Sequence, residues 1–188
     1  MTDALPTPAI RLEVNDTVAT VTISRPERRN ALNHAALELL DAAVHAAVVQ
    51  GARVLVITGS DGHFCAGADL SELEDVTFAN RLEEVLLHLA GLPITTIAAI
   101  EGSCMGLGMQ LAVACDLRVV ADGAKFAVPV AKLGLMVNHW TLTRVARFFG
   151  EGAARQMVLT GSVLTAEDAW RLGFAQQQGG LDTAYALA

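Results

Sequence analysis

The segment Gly102-Ser-Cys-Met-Gly-Leu-Gly-Met-Gln110 decides the fold class. This glycine-rich turn joins an apolar run at residues 94–100 to an apolar stretch that begins at Met109. The segment His63-Phe-Cys-Ala-Gly-Ala-Asp69 follows the apolar run at residues 53–58 in the same manner. Short apolar runs are typical of buried strands, and glycine-rich turns before helical stretches are typical of β–α connections. The sequence therefore predicts a mixed α/β fold.

The stretch before these loops predicts a hairpin and a helix. Apolar and polar residues alternate over residues 10–14 and 18–24, on either side of Asn15-Asp16, which is typical of a β-hairpin. Asn33 is a suitable N-cap for the helix that follows. The apolar side of this helix is formed by Leu37, Leu40, Val44 and Ala47.

The remaining elements are predicted from caps and from glycine positions. We expect Asp69 or Ser71 to cap a helix after the first loop, and residues 116–121 to form a third buried strand. Residues 139–172 are expected to be mostly helical, and Asp182 is expected to cap a final helix.

The composition limits the class of protein. The 188 residues include 53% hydrophobic side chains and carry a formal net charge of −7. This apolar content suits one folded domain, and the negative charge argues against nucleic acid as a partner. The most apolar region, residues 92–121, is interrupted by charges and glycines, so no membrane span is expected. The N-terminus lacks a signal-peptide pattern and the three cysteines form no Cys-x-x-Cys pair, so we expect a cytoplasmic protein.

The two glycine-containing loops are the candidate site. Each brings backbone N–H groups to the start of a helix, and two converging N–H groups can hold a developing oxyanion. The alternative is that both loops are tight packing connections. A nucleotide-binding module is disfavoured, because Gly102, Gly106 and Gly108 give G-x-x-x-G-x-G instead of the dinucleotide pattern, and no Gly-Lys-Ser/Thr occurs.

Five motifs in register resemble the signatures of the crotonase (enoyl-CoA hydratase/isomerase) superfamily. They are Arg25-Pro-Glu-Arg-Arg-Asn-Ala-Leu-Asn33, Phe64-Cys-Ala-Gly-Ala-Asp-Leu70, Gly106-Leu-Gly-Met-Gln-Leu-Ala-Val-Ala-Cys-Asp116, Ala124-Lys-Phe-Ala-Val-Pro129, and Leu159-Thr-Gly161 with Ala166-Glu-Asp-Ala169 and Gly173. The resemblance runs in order from about residue 10 to residue 178.

The resemblance implies a fold, a ligand and an assembly. The fold is a crotonase-type spiral of repeated ββα units, with a CoA-thioester-binding core at residues 1–178. The resemblance also implies that residues 179–188 are the start of a truncated C-terminal helical region. In this family that region forms trimers, so a homotrimer or a dimer of trimers is expected if the full-length chain carries it. The ligand is an acyl-CoA thioester, and neither a permanent cofactor nor a metal is implied.

The resemblance also implies residue roles. The N–H groups of Ala68 and Leu107 form the oxyanion hole for the thioester carbonyl. The CoA-binding positions are Arg28, Arg29, Ala31, Ala66, Gly67, Asp69 and Leu70. Asn138 and Trp140 are assigned to the acyl pocket, although Trp140 is equally suited to core packing.

Two departures from the family pattern bear directly on activity. Family hydratases carry one glutamate just after the glycine turn and another in a Pro-Glu sequence, and these positions are Gln110 and Val130 here. The two carboxylates position water and transfer its proton. An amide has no useful pKa and a valine has no polar group, so ordinary hydration is expected to be weak or absent.

Several other side chains are candidates for substitute chemistry. His139 could act as an acid or base, and Glu72 and Asp75 follow the first loop. Their alternatives are helix-start packing for His139 and a solvated helix face for the acids. Cys65 and Cys104 are more consistent with buried packing than with nucleophiles, and the same holds for a triad built on Ser103.

The preferred functional hypothesis is therefore an acyl-CoA or enoyl-CoA binding protein of fatty acid metabolism. The alternative is an active enoyl-CoA hydratase or isomerase that uses a displaced acid or base such as His139.

Overall fold

The computed structural model describes residues 8–69 and 76–188, and it confirms the mixed α/β fold. The strands are β1 (Ile10–Asn15), β2 (Val18–Ile23), β3 (Val54–Gly59), β4 (Thr95–Ile100), β5 (Ser103–Met105), β6 (Leu117–Val120), β7 (Lys125–Ala127), β8 (Leu164–Thr165) and β9 (Gln177–Gln178). The helices are α1 (His34–Val49), α2 (Val76–Ala90), α3 (Leu107–Ala114), α4 (His139–Phe149), α5 (Glu151–Thr160), α6 (Ala166–Arg171) and α7 (Leu181–Leu187). Short 3-10 helices occupy Pro26–Arg28 and Val130–Leu133.

The main sheet has the strand order β1-β2-β3-β4-β6-β9. The first two strands form the predicted hairpin, in which Asn15 pairs with Val18 and Asp16 takes a positive φ of 54° in the turn. From β2 to β9 all neighbouring strands are parallel. The carboxyl ends of β3 and β4 therefore lie side by side, and the two glycine-containing loops leave the sheet at the same edge.

Helices cover both faces of this sheet. Asn33 caps α1 as predicted, since its side chain accepts a hydrogen bond from the Ala36 N–H at 2.9 Å. The predicted apolar side of α1 is buried in the main core, together with Leu55 and Ile57 of β3. On the opposite face, Ala184 of α7 packs in a smaller cluster with Val56 of β3. No helix within residues 8–69 and 76–188 is long and apolar enough to cross a membrane.

A second, smaller sheet has the strand order β5-β7-β8, and β5 leads through Gly106 into α3. Its Phe126 packs against Phe149 and Phe174, whose rings stack with centroids 4.2 Å apart. These strands and β9 were not predicted, because two or three residues are too few to show a period.

Two predicted helix starts need correction. Helix α3 begins at Leu107, two residues before the predicted start at Met109, because Gly106 takes a positive φ of 52° and turns the chain into the helix. The N-cap of α7 is Gly180, and Asp182 instead lies in the first turn, where a carboxylate suits the positive end of the helix dipole. The predicted helical region 139–172 is confirmed as α4, α5 and α6.

A buried arginine fixes the C-terminal end of α3. Arg118 is 1% exposed, and its guanidinium donates to the carbonyls of Cys115 at 3.0 Å and Phe174 at 2.8 Å. It also donates to the side chain of Gln176 at 2.9 Å, and Phe148 lies 4.0 Å beneath its Cζ. Burial lowers the pKa of Arg118 to about 10. The buried guanidinium therefore has hydrogen-bond acceptors at the C-terminal end of α3 and in the segment that follows α6.

Candidate functional site

The two glycine-containing loops are joined by backbone hydrogen bonds. The Cys65 N–H donates to the Ser103 carbonyl at 2.9 Å, and the Met105 N–H donates to the Cys65 carbonyl at 2.9 Å. Helix α3 then packs directly on this pair. A Cβ at Gly108 would lie 2.3 Å from the Cys65 carbonyl oxygen, so only glycine fits there. The close approach fixes the position of the α3 N-terminus relative to the first loop.

The N–H groups of Ala68 and Leu107 are both available to a ligand. Leu32 and Ala68 form a parallel bridge in which the Leu32 N–H bonds to Gly67 and the Asp69 N–H bonds to Leu32, so the Ala68 N–H points away from Leu32. Leu107 is the first residue of α3, whose N–H has no partner within the helix. Neither N–H has a hydrogen-bond partner in the part of the chain that the structure describes.

These two residues border one cavity of about 600 Å³. Its lining includes the predicted site residues Ala66, Gly67, Ala68, Leu107, Gln110, Val130 and Asn138. The loops are in contact at this point, since a Cβ at Gly67 would lie 3.9 Å from the Leu107 nitrogen. The structure therefore brings the predicted oxyanion-hole residues and the two substituted positions, Gln110 and Val130, to the same space.

The predicted substitute base is not part of this cavity. His139 is the exposed first residue of α4 and does not line the cavity, because Asn138 caps the helix by accepting from the Thr141 N–H and the chain then turns outward. Trp140 does not line it either. Its ring packs beneath the guanidinium of Arg144, with the Arg144 Cζ 4.7 Å from the ring centroid. Of the predicted pair in this segment, only Asn138 faces the cavity.

Three predicted residues, Leu70, Glu72 and Asp75, lie outside the described residues. The second proposed cap of α2, Ser71, also lies outside them.

The arginine-containing loop before α1 supplies the basic groups. The Arg25 guanidinium donates to the Ala31 carbonyl and lies 3.5 Å from the Asp69 carboxylate, so it braces the first glycine-containing loop. Arg28 and Arg29 are exposed, and neither makes an ion pair within the described ranges. The Arg29 carbonyl accepts from the Ala66 N–H at 3.0 Å, which places these two cations beside the loop that borders the cavity. They offset the net negative charge locally.

The cysteines behave as buried packing groups, as predicted. Cys65 and Cys104 pair through a backbone bridge, and both are fully buried. Burial raises the pKa of the Cys65 thiol to about 12 and raises that of Cys104 well above its ordinary value. A thiol that stays protonated is a poor nucleophile. Ser103 does not border the cavity, and its N–H donates to His63 Nδ1 at 3.2 Å.

The sequence interpretation missed one wall of the cavity. The additional lining residues include Phe78, Asn80, Leu82 and Glu83 of α2 and Lys132, Leu133, Leu135, Met136 and Val137 of the segment after β7. The Lys132 ammonium donates to the Gly161 carbonyl at 2.9 Å. For α2 the sequence does contain a signal. Phe78 and Leu82 are spaced by four residues and therefore lie on one face of the helix, and the residues next to them in sequence lie along the edge of that face. Within residues 8–69 and 76–188 no cluster of His, Cys, Asp or Glu could hold a metal ion.

Asn30 ties the arginine-containing loop to the first glycine-containing loop. It is fully buried with a positive φ of 62°, and its amide nitrogen donates to the carbonyls of Ser60 at 2.9 Å and His63 at 2.6 Å. Its amide oxygen accepts from the Arg25 N–H at 2.8 Å. We expect Asn30→Asp to lower the free energy of unfolding by about 3 kcal/mol, because the two buried carbonyls lose their donor. Urea denaturation measures this loss.

The control for this prediction is Ser60→Ala, which removes a hydroxyl whose contact with Asn30 is long, at 3.5 Å. It should change stability by less than about 0.5 kcal/mol. Equal losses in the two variants would contradict the role assigned to the Asn30 amide.

Comparisons with known proteins identify the family of the chain. The family model "Enoyl-CoA hydratase/isomerase" matches residues 13–179. The "Probable enoyl-CoA hydratase echA6" of Mycobacterium tuberculosis is 42% identical over 174 residues, which cover 92% of this chain and 72% of the relative. The mouse "Enoyl-CoA hydratase domain-containing protein 2, mitochondrial" is 35% identical over 179 residues, with 89% of this chain and 60% of the relative covered.

Solved structures share the fold. A Hyphomonas neptunium protein assigned to the enoyl-CoA hydratase/isomerase family superposes with a TM-score of 0.90 at 34% identity, over 96% of this chain and 74% of that chain. An enoyl-CoA hydratase/carnithine racemase from Magnetospirillum magneticum superposes with a TM-score of 0.86 at 28% identity, over 96% and 72% of the two chains. The chain therefore belongs to the enoyl-CoA hydratase/isomerase family.

Proposed function

We propose that this protein binds acyl-CoA or enoyl-CoA thioesters and hydrates them weakly or not at all. The observation that carries the proposal is one cavity that is bordered both by the free N–H groups of Ala68 and Leu107 and by the side chains of Gln110 and Val130. The first pair suits a thioester carbonyl. The second pair lacks the carboxylates that water addition requires.

Binding of the thioester follows from the two N–H groups. A carbonyl oxygen placed between them accepts two hydrogen bonds in a space that is walled largely by apolar side chains, where such bonds are stronger than in water. The Leu107 N–H also lies at the positive end of α3. The same arrangement would stabilise an enolate, so the cavity is suited to hold the thioester and to polarise it.

The CoA portion is proposed to extend past Ala66 towards Arg28 and Arg29. Both guanidinium groups are exposed beside the first glycine-containing loop, and phosphates are recognised well by arginine. Family relatives are named for enoyl-CoA chemistry, which supports a CoA thioester as the ligand class.

Weak hydration follows from the chemistry of the substituted side chains. Water addition to an enoyl thioester requires one group that removes a proton from water and one that delivers a proton to carbon. Gln110 can form hydrogen bonds but cannot exchange a proton at neutral pH, and Val130 offers only methyl groups. General acid–base groups each contribute about 10²- to 10⁴-fold, so their absence should leave little turnover.

The test of thioester binding removes one N–H from the proposed oxyanion hole. Leu107→Pro deletes that donor at the first helical position, where proline is tolerated and where Gly106 has no Cβ to meet the proline ring. We expect the affinity for a saturated acyl-CoA to fall by about 2- to 12-fold, the value of one net hydrogen bond. Calorimetry measures it.

The control is Leu107→Ala, which also shortens the side chain but keeps the N–H. A thioether analogue without the carbonyl oxygen gives a second control, since Leu107→Pro and Leu107→Ala should bind it equally. If Leu107→Pro and Leu107→Ala also have the same affinity for the thioester, the Leu107 N–H does not hold the carbonyl and the proposal fails.

A further inference from the structure

One carboxylate lies in the wall of the cavity. Among the residues that the structure describes, Glu83 is the only Asp or Glu that lines it. Glu83 lies on α2, one helical turn after Ala79, which also lines the cavity. Residues four apart share a helix face, so this flank of α2 is directed at the cavity and carries a negative charge.

Glu83 has no cationic partner, in contrast to its neighbour Glu84. The Glu84 carboxylate is 3.2 Å from the Arg81 guanidinium, which also binds two carboxylates of α1. Glu83 has no ion pair or hydrogen bond with any residue of the described ranges. Residues 1–7 and 70–75, outside those ranges, contain no Lys, Arg or His, so they offer no basic side chain to pair with it.

The cation that lines the cavity is bound elsewhere. Within the described part of the chain, Lys132 is the only Lys, Arg or His in the lining. Its ammonium donates to the Gly161 carbonyl at 2.9 Å, at the C-terminal end of α5, where the helix dipole is negative. Its stem lies against Gly161, since a Cβ there would be 2.7 Å from the Lys132 Cε. The charge of Lys132 is therefore offset by α5, whereas that of Glu83 is not offset.

The acyl group is the part of the ligand that meets Glu83. In the proposed function, the N–H groups of Ala68 and Leu107 hold the thioester carbonyl, and CoA extends towards Arg28 and Arg29. The rest of the cavity is walled by α2 and the segment after β7, mostly with apolar side chains. The two ends of the ligand therefore face opposite charges, cationic at the CoA end and anionic at the acyl end.

We propose that Glu83 selects the class of acyl group: the cavity accepts uncharged acyl chains and rejects chains that end in a second carboxylate. The inference rests on the proposed function and narrows its ligand class. Two like charges about 4 Å apart lower an affinity by about 5-fold even in water, and by more where solvent is excluded. Repulsion of this kind distinguishes ligands that otherwise make the same contacts.

The experiment compares the wild type, Glu83→Gln and Glu84→Gln by calorimetry at low ionic strength, where charges are least screened. The ligands are pairs of saturated acyl-CoA thioesters of four, six and eight acyl carbon atoms, one monocarboxylic and one dicarboxylic in each pair. The ratio of the two affinities cancels the contribution of CoA. The cost of dehydrating the second carboxylate is common to all three proteins, so a change in the ratio reports the charge of residue 83.

We expect the wild type to prefer the monocarboxylic chain, by a ratio that Glu83→Gln lowers by about 5-fold or more at one or more chain lengths. Glu84→Gln should leave the ratio nearly unchanged, because the Glu84 charge is already paired with Arg81. The same ratio in the wild type and Glu83→Gln at all three lengths would overturn the inference alone, as would an equal fall in Glu84→Gln. If the wild type binds none of the monocarboxylic thioesters, the proposed function fails, and this inference with it.

Discussion

Gly108→Ala should destabilise the protein by about 3 kcal/mol or more and should greatly weaken acyl-CoA binding. The added methyl group would lie 2.3 Å from the Cys65 carbonyl oxygen and 2.9 Å from the Cys65 Cβ. These Cys65 atoms belong to the backbone or are attached directly to it, so no flexible group can yield, and α3 must separate from the first glycine-containing loop. Because that contact sets the distance between the Ala68 and Leu107 N–H groups, the ligand site is lost together with stability.

The matched control for this prediction is Gly152→Ala in α5. A Cβ at Gly152 has no neighbour within 4 Å, so the substitution should leave stability unchanged or raise it by up to about 1 kcal/mol. Thermal or urea unfolding of both variants, with calorimetric titration of acyl-CoA, measures the difference. A Gly108→Ala protein as stable as Gly152→Ala would show that the close packing of α3 on Cys65 is not needed.

The second large effect is a gain of activity. Gln110→Glu combined with Val130→Glu should raise enoyl-CoA hydration by about 10²-fold or more over the wild type, because both positions line the cavity and are only partly buried. Each single substitution should give much less, since the two carboxylates act on one water molecule and their effects are not additive. The rate of 3-hydroxyacyl-CoA formation is the measurement.

The control for the gain of activity is Gln110→Glu combined with Val130→Gln, which has nearly the same size but one carboxylate. Equal hydration by this control and by the double glutamate variant would contradict the proposal that the two missing carboxylates limit hydration. A wild-type rate already equal to that of the double glutamate variant would contradict it as well.

Much of the fold could be predicted because local signals and packing agree. Asn33 caps α1, the hairpin turns at Asp16, and the apolar runs before both loops are buried strands. The short strands β5 and β7 could not be predicted in this way, because they exist only through pairing between segments distant in sequence. Their residues show no period of their own.

The site was predicted in part, for a similar reason. Ala68, Leu107, Gln110 and Val130 were placed by motif resemblance, and the structure brings all four to one cavity. His139 follows Asn138 directly in sequence, yet the helix start turns it to solvent, a change of direction that adjacency in sequence does not reveal. Glu83 is the reverse case, because it lines the cavity although the sequence did not indicate it. In the sequence it is one of many charged residues on a helix, and only the tertiary structure shows its position.

The most direct test of the central claim is a titration of the wild-type protein with a trans-2-enoyl-CoA. Binding is followed by calorimetry, and the same samples are analysed by mass spectrometry for the gain of one water molecule. We expect saturable binding without accumulation of 3-hydroxyacyl-CoA. Steady formation of the hydroxyacyl product at catalytic rates would contradict the claim that Gln110 and Val130 leave this cavity able to hold the thioester but unable to hydrate it.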